Sequence, residues 1–392
     1  MDSDSDGRID GNYLSAIVAV QTAGNNVIIR NYPDNTSYLS TTLAEQIATL
    51  NVSGIYYWDE PQTTDMNSLV TLAKQHEQYN SDSMFWTTLL PGHAFDSDTK
   101  YDEYLDTYVS DVLGEVESGR KVLAMDNYPL LYGQICGIWD TEEDNYYTVR
   151  ESYLTNLYKI SSRALSYNQN KSDAQSSMEV GAYIQVYTQD SERVRAITAT
   201  SDVTYQTNVS LAMGVNNLGY FMYSDHNSST MSGLVDNSGN IVNQTAYDAV
   251  QVANTQILKW DYILKTFEWQ GVKTYKATSG STTRAKTTGK AIDALTESYT
   301  APNFAWLQSA SATEDSIIGE FKDAANGYYG YMAVNFSEPT LGRTSEVTMQ
   351  FDSGVSKVVV YTNGTRSVQS VSDGKYEVQI PSGNAVFVIP CI

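Results

Sequence analysis

The strongest constraint on this chain is an alternation between two kinds of segment. Apolar runs of five to nine residues occupy positions 26–32, 54–58, 84–90, 121–125, 179–187 and 218–224. A helical pattern follows each one, near 41–50, 65–79, 101–117, 147–168, 191–213 and 244–265. Runs this short, apolar on both faces and separated by helices, imply a parallel sheet covered by helices. Several runs stop at a polar cluster with a proline: Asp59-Glu60-Pro61, Leu90-Pro91-Gly92 and Asp126-Asn127-Tyr128-Pro129. That punctuation predicts an α/β barrel of the (β/α)8 type, in which the C-terminal strand ends carry the chemistry. The chain has no Gly-x-Gly-x-x-Gly or Walker-type loop, which disfavours a nucleotide-binding doubly wound sheet.

From about residue 266 the period changes. Short alternating runs at 267–276, 316–321, 328–335, 346–351, 355–361, 376–380 and 385–389 are separated by Gly, Asn, Asp and Ser. They predict an antiparallel β-sandwich, with 277–290 as a polar loop. The expected division is a barrel over 1–265 and a sandwich over 266–392, and 392 residues suffice for both.

Composition removes several partner classes. With 46 Asp+Glu against 24 Lys+Arg, the net charge of −22 lacks the basic face a nucleic-acid binder needs. The same charge opposes docking on an anionic membrane, and no apolar run approaches the length of a membrane-spanning helix. The 30 tyrosines suit a cleft that stacks on sugar rings, although ordinary packing accounts for most of them. Two cysteines are too few for a disulfide framework. Few lysines, much Asn, Ser, Thr and Tyr, and a low pI fit a bacterial protein that is extracellular or on the cell surface, with its export signal outside this chain.

The strand-end carboxylates are the candidates for chemistry. Glu60 follows an aromatic strand and stands beside Asp59, so burial and a like charge would raise its pKa, as a general acid requires. Asp126 holds the equivalent place two strands on and is its candidate partner. Asp225, followed by His226, ends the sixth run. His93 also follows a strand, and Trp58, Tyr128, Tyr187 and Tyr223 lie where rings can stack on a sugar. The bland alternatives are rim carboxylates, an Asx turn at Asp126 and core aromatics. Asp2, Asp4, Asp6 and Asp10 match the first positions of a calcium loop, but position 12 is Tyr13 where a bidentate carboxylate belongs. A bound Ca2+ competes there with a solvated acidic loop. Three histidines without paired spacing argue against a catalytic zinc site.

The order of these motifs resembles the clan A glycoside hydrolases, above all family 42 β-galactosidase-like barrels and their uncharacterised bacterial relatives. The likeness covers most of 26–390. It rests on Asp59-Glu60-Pro61, on Leu89-Leu90-Pro91, on Asp126 to Pro129, and on Gly214 to Tyr223. It implies a carbohydrate substrate, no required cofactor, and Glu60 as the acid/base at the end of barrel strand 4. Asp59 stands where the clan has Asn. Counting from that strand, barrel strands 1 and 2 are missing, and a preceding segment, a partner chain or a different closure of the sheet would make up for them. The likeness also puts Gln185 where the clan has its nucleophilic Glu, and an amide cannot form a glycosyl-enzyme bond. Three readings stay open: an inverting pair of Glu60 with Asp126 or Asp225, a substrate assisting itself through a 2-acetamido group, or a non-catalytic barrel that binds glycan through residues such as Gln185.

Overall fold

Runs buried on both faces need cover on both faces, and the chain places a helix after each one. The computed structural model describes residues 9–30, 41–130, 145–189, 196–224, 231–278, 286–299 and 301–391. In order these form α1 (Gly11–Thr22), β1 (Ile28–Arg30), α2 (Thr41–Ala48), β2 (Gly54–Asp59), α3 (Met66–Asn80), β3 (Met84–Leu89), α4 (Asp98–Thr107), β4 (Arg120–Met125) and α5 (Asn145–Asn170). There follow β5 (Met178–Gln185), β6 (Thr188–Gln189), α6 (Thr200–Ala212), β7 (Asn217–Phe221), β8 (Met231–Ser232) and α7 (Gln244–Thr266). One sheet has the order β1-β2-β3-β4-β5-β7, and its β1–β2, β2–β3 and β3–β4 pairs are parallel. These are the six strands expected from the apolar runs. Two more, as a full eight-stranded barrel needs, are not seen among the described residues. The described chain separates into two compact units, Met1–Asp126 with Lys159–Gly181, and Asn127–Tyr158 with Ala182–Ile392.

In the first unit every residue of β3 is buried, as are five of the six in β4. Gly181 lets β5 approach closely: a Cβ there would lie 2.7 Å from the Ala124 Cβ and 2.9 Å from Val122 Cγ1. His76 of α3 is fully buried between Tyr57 and Phe85. Its Nε2 lies 3.1 Å from the Ser83 carbonyl and its Nδ1 3.0 Å from the Tyr57 hydroxyl. A carbonyl only accepts, so Nε2 carries the proton and Nδ1 accepts from Tyr57. Burial lowers the ring's pKa to about 4 and keeps it neutral.

The second unit continues through β9 (Phe267–Tyr275), α8 (Lys286–Ser298), β10 (Leu307–Ala312), β11 (Ser316–Asp323), β12 (Tyr329–Asn335), β13 (Thr344–Phe351), β14 (Lys357–Thr362), β15 (Thr365–Ser370), β16 (Lys375–Pro381) and β17 (Ala385–Cys391). Two antiparallel sheets, β15-β14-β17-β12-β11-β9 and β10-β13-β16, share a core that includes Ile318, Tyr331 and Ala333 from one and Val347, Met349 and Phe351 from the other.

The expected loop 277–290 is corrected at its end, where α8 begins at Lys286. Ala291, Ile292 and Leu295 bury one side of that helix and outweigh its polar opening. Strands β10 and β15 were not expected. Only Leu307 and Ala312 are buried in β10, and none of the six residues of β15 is, so the usual alternation is missing.

Candidate active site

The geometry starts at a bulge. Pairing of β2 with β3 shifts between Tyr56 and Trp58, so Tyr57 is the extra residue. Such a bulge bends a strand and re-aims the residues after it. Glu60 then takes a left-handed backbone conformation, with φ of +51°, rare for a residue with a Cβ. It is held from two sides. The Glu60 N–H donates to the Thr88 carbonyl at 2.8 Å. The next carbonyl, of Pro61, accepts from the Tyr104 hydroxyl at 2.8 Å.

Asp126 follows the last residue of β4, with β3 between it and β2. Despite the intervening strand, the Glu60 and Asp126 side chains share a hydrogen bond. Burial pushes the Asp126 carboxyl up to about 8, with further push from the charges of Glu60 and Asp59. Burial and then the Asp59 charge also raise Glu60, while the bond from Asp126 pulls it back. The bond thus favours a proton on Asp126 and a charge on Glu60, one proton for two carboxyls. Asp126 Oδ1 is buried, and among the described residues no N–H or hydroxyl donor bonds to it.

Asp59 points elsewhere. It accepts from the Tyr56 hydroxyl at 2.6 Å and from Arg30 at 3.5 Å, and Arg30 lies over the Tyr56 ring. It therefore acts on the pair through its field. Trp58 is only 3% exposed and packs in the core. His93, in the turn Gly92–Ala94, has its pKa lowered to about 4 by burial, so it is neutral near pH 7.

The other expected residues belong to the second unit. Gln185 is fully buried. Its Oε1 accepts from the Leu130 N–H at 2.9 Å and its Nε2 donates to the Leu130 carbonyl at 3.1 Å. Gln206 clasps its backbone in the same way, at 2.8 and 3.1 Å. This amide holds the segment after β4. Tyr128, Tyr187 and Phe221 form a three-ring cluster with centroids 5.4–5.7 Å apart, beside Met222 and Met231. Tyr223 is 63% exposed. Asp225 and His226 lie outside the described residues. Phe221 and Tyr104 escaped the sequence reading. Phe221 had a signal, as the neighbour of two strand-end tyrosines; Tyr104, inside a helix, had none.

Asp2, Asp4 and Asp6 also lie outside the described residues. Asp10 caps α1, accepting from the N–H groups of Asn12 and Tyr13 at 2.8 and 3.3 Å. Among the described residues no three His, Cys, Asp or Glu side chains are grouped to hold a metal, and no helix is long and apolar enough to cross a membrane.

No family model matches the sequence, and no curated protein does. Solved structures do. A candidate α-galactosidase/melibiase from Bacteroides fragilis is similar with a TM-score of 0.50 at 10% identity, over 96% of this chain and 64% of that one. The fold is glycoside hydrolase-like. α-Galactosidase I from Mortierella vinacea is similar with a TM-score of 0.44 at 10% identity, over 96% and 91% of the two chains. A family 5 glycoside hydrolase from Bacteroides vulgatus reaches 0.43 at 12% identity, over 98% and 85%. The chain spans just under two thirds of the Bacteroides fragilis structure, and likeness at such identities extends to the fold alone.

Proposed function

We propose that this protein is a glycoside hydrolase in which Glu60 and Asp126 form one acid/base device. The observation that carries this reading is the shared hydrogen bond between two carboxyls of raised pKa, at the C-terminal ends of parallel strands in a glycoside hydrolase-like fold. A carboxyl that keeps its proton near neutral pH can protonate a glycosidic oxygen, and its ionised partner can take a proton from water. Asp126 is the better proton holder of the two.

Two-carboxylate schemes separate their groups by roughly 5–5.5 Å for retention or 6.5–9.5 Å for inversion. A hydrogen-bonded pair is closer than either. This contact favours a substrate that supplies its own nucleophile, a 2-acetamido oxygen attacking the anomeric carbon, over Asp126 serving as the base of an inverting pair.

Glu60→Gln and Asp126→Asn are each expected to lower kcat on aryl glycosides by about 10²–10⁴-fold, with ligand binding retained in calorimetry. Unchanged turnover in both variants would overturn the assignment. The buried, fully bonded Gln185 amide favours a second reading, a non-catalytic glycan-binding protein. Binding on a glycan array without turnover of any aryl glycoside or polysaccharide would select it.

A further inference from the structure

Resting on the reading of Glu60 and Asp126 as the acid/base pair, we propose that Tyr104 is a positioning residue whose hydroxyl fixes where the Glu60 carboxylate can lie. Tyr104 sits on α4 and is 1% exposed. Its hydroxyl donates to the Pro61 carbonyl at 2.8 Å and accepts from the Leu90 N–H at 3.4 Å. One phenol therefore ties the loop after β2 to the loop after β3. A phenol has one proton and Pro61 has no N–H, so the direction of the Tyr104–Pro61 bond is settled by chemistry.

The bond matters because of the residue before Pro61. Glu60 occupies the left-handed region, which relaxes unless its surroundings hold it. Its own N–H is tied to Thr88 and the next carbonyl to Tyr104. Released on the Pro61 side, the Glu60 backbone can return to an ordinary conformation, which swings its carboxylate off Asp126.

The phenol is itself well placed to act as a fixed point. Its ring packs against Phe95 at 4.8 Å and Tyr101 at 6.4 Å. Helix α4 is anchored to α5 by Asp102, which pairs with Lys159 and Arg163, each at 2.9 Å. Burial raises the Tyr104 phenol pKa, and the Glu60 charge adds a smaller push in the same direction.

The test is carboxyl titration by 13C NMR of the full chain, labelled at Asp and Glu. The wild type should show one carboxyl titrating near 8. Tyr104→Phe keeps the ring and removes the bridge. It should move that titration down by about one pH unit or more, since Glu60 no longer pushes on Asp126. Tyr101→Phe, in the same aromatic stack, should leave it in place. On any aryl glycoside the wild type hydrolyses, Tyr104→Phe should lower kcat by about 10–100-fold with little change in KM. A wild-type titration near 8 that Tyr104→Phe leaves unmoved overturns the positioning role and spares the pair. A wild type with no carboxyl titrating in the neutral range overturns the pair and this proposal together. If Tyr104→Phe does not fold, 4-fluorophenylalanine at position 104 fills the hydroxyl's place and has no proton to donate to Pro61. An unmoved titration in that protein is equally decisive against the positioning role.

Discussion

Glu60 and Asp126 share a side-chain hydrogen bond although a whole strand, β3, separates the strands that carry them. The bulge at Tyr57 and the left-handed turn at Glu60 bring the longer side chain across. Two carboxyls in contact cannot both ionise easily, because the second charge forms beside the first and away from bulk water. The pair therefore stores a proton at the cost of folding stability, a common exchange at functional sites.

That exchange predicts how stability varies with pH. Asp126 would ordinarily titrate near 3.8 and titrates near 8 in the fold. Between those values the folded chain holds a proton that the unfolded chain has released. The group's stabilising contribution is full below about pH 3.8 and is lost as pH rises through about 8. Asp126→Asn cannot ionise, so its melting temperature should exceed that of the wild type at pH 9 and converge with it near pH 4. Thermal unfolding at several pH values checks this. A variant no more stable than wild type at pH 9 would show that the buried charge carries no cost.

A self-assisting substrate predicts a preference readable from substrate pairs. Aryl 2-acetamido-2-deoxy-β-glycosides should be cleaved about 100-fold or more faster than the matching 2-hydroxyl glycosides, because the latter lack the nucleophile. Replacing the acetamido group by trifluoroacetamido weakens its oxygen as a nucleophile and should lower kcat further than KM changes. Equal rates on the two sugar series would sink the self-assistance scheme while leaving the acid/base pair standing.

Much of the sheet was legible because burial on both faces leaves an unbroken apolar run, as in Met84–Leu89. Strand β15 was not, because a strand exposed along its length has no burial to write into its sequence. Glu60 and Asp126 stood out through the prolines that stop their strands. Their contact did not, since it depends on a bulge and on one backbone angle, and neither has a local pattern. Gln185 shows the opposite failure: a polar residue at a strand end reads the same whether it faces a ligand or clasps the backbone of Leu130. Tyr104 reads as helix core until its hydroxyl is traced to Pro61.

The buried histidine predicts an effect far from the proposed chemistry. In His76→Leu, the Tyr57 hydroxyl and the Ser83 carbonyl would each lose a partner in the core, at about 1–3 kcal/mol apiece. The wild-type ring, ordinarily near 6.5, is lowered to about 4. Its contribution is therefore present above about pH 6.5 and lost as pH falls through about 4. Denaturant titration at pH 7 should show the variant less stable, with a smaller loss between pH 7 and pH 4 than the wild type has. Equal slopes over that range would mean the ring charges without penalty.

The last prediction concerns the carboxylate that the family likeness expects at position 185. Gln185 uses both ends of its amide, accepting from the Leu130 N–H and donating to the Leu130 carbonyl. In Gln185→Glu the acceptor end survives, but an ionised carboxylate would set a second oxygen against that carbonyl. With the site fully buried, the new group should keep its proton, which restores a donor, and ionise only at raised pH. The variant should lose roughly 1–3 kcal/mol of stability where it ionises, and the loss should grow with pH. It should also gain no turnover on any glycoside, because this side chain is buried and both ends of it are bonded to the Leu130 backbone. Denaturant titration at pH 5 and pH 8, beside an aryl glycoside screen, measures both effects. A rise in hydrolysis with unchanged stability would instead make position 185 a degenerate nucleophile site that the clasp conceals.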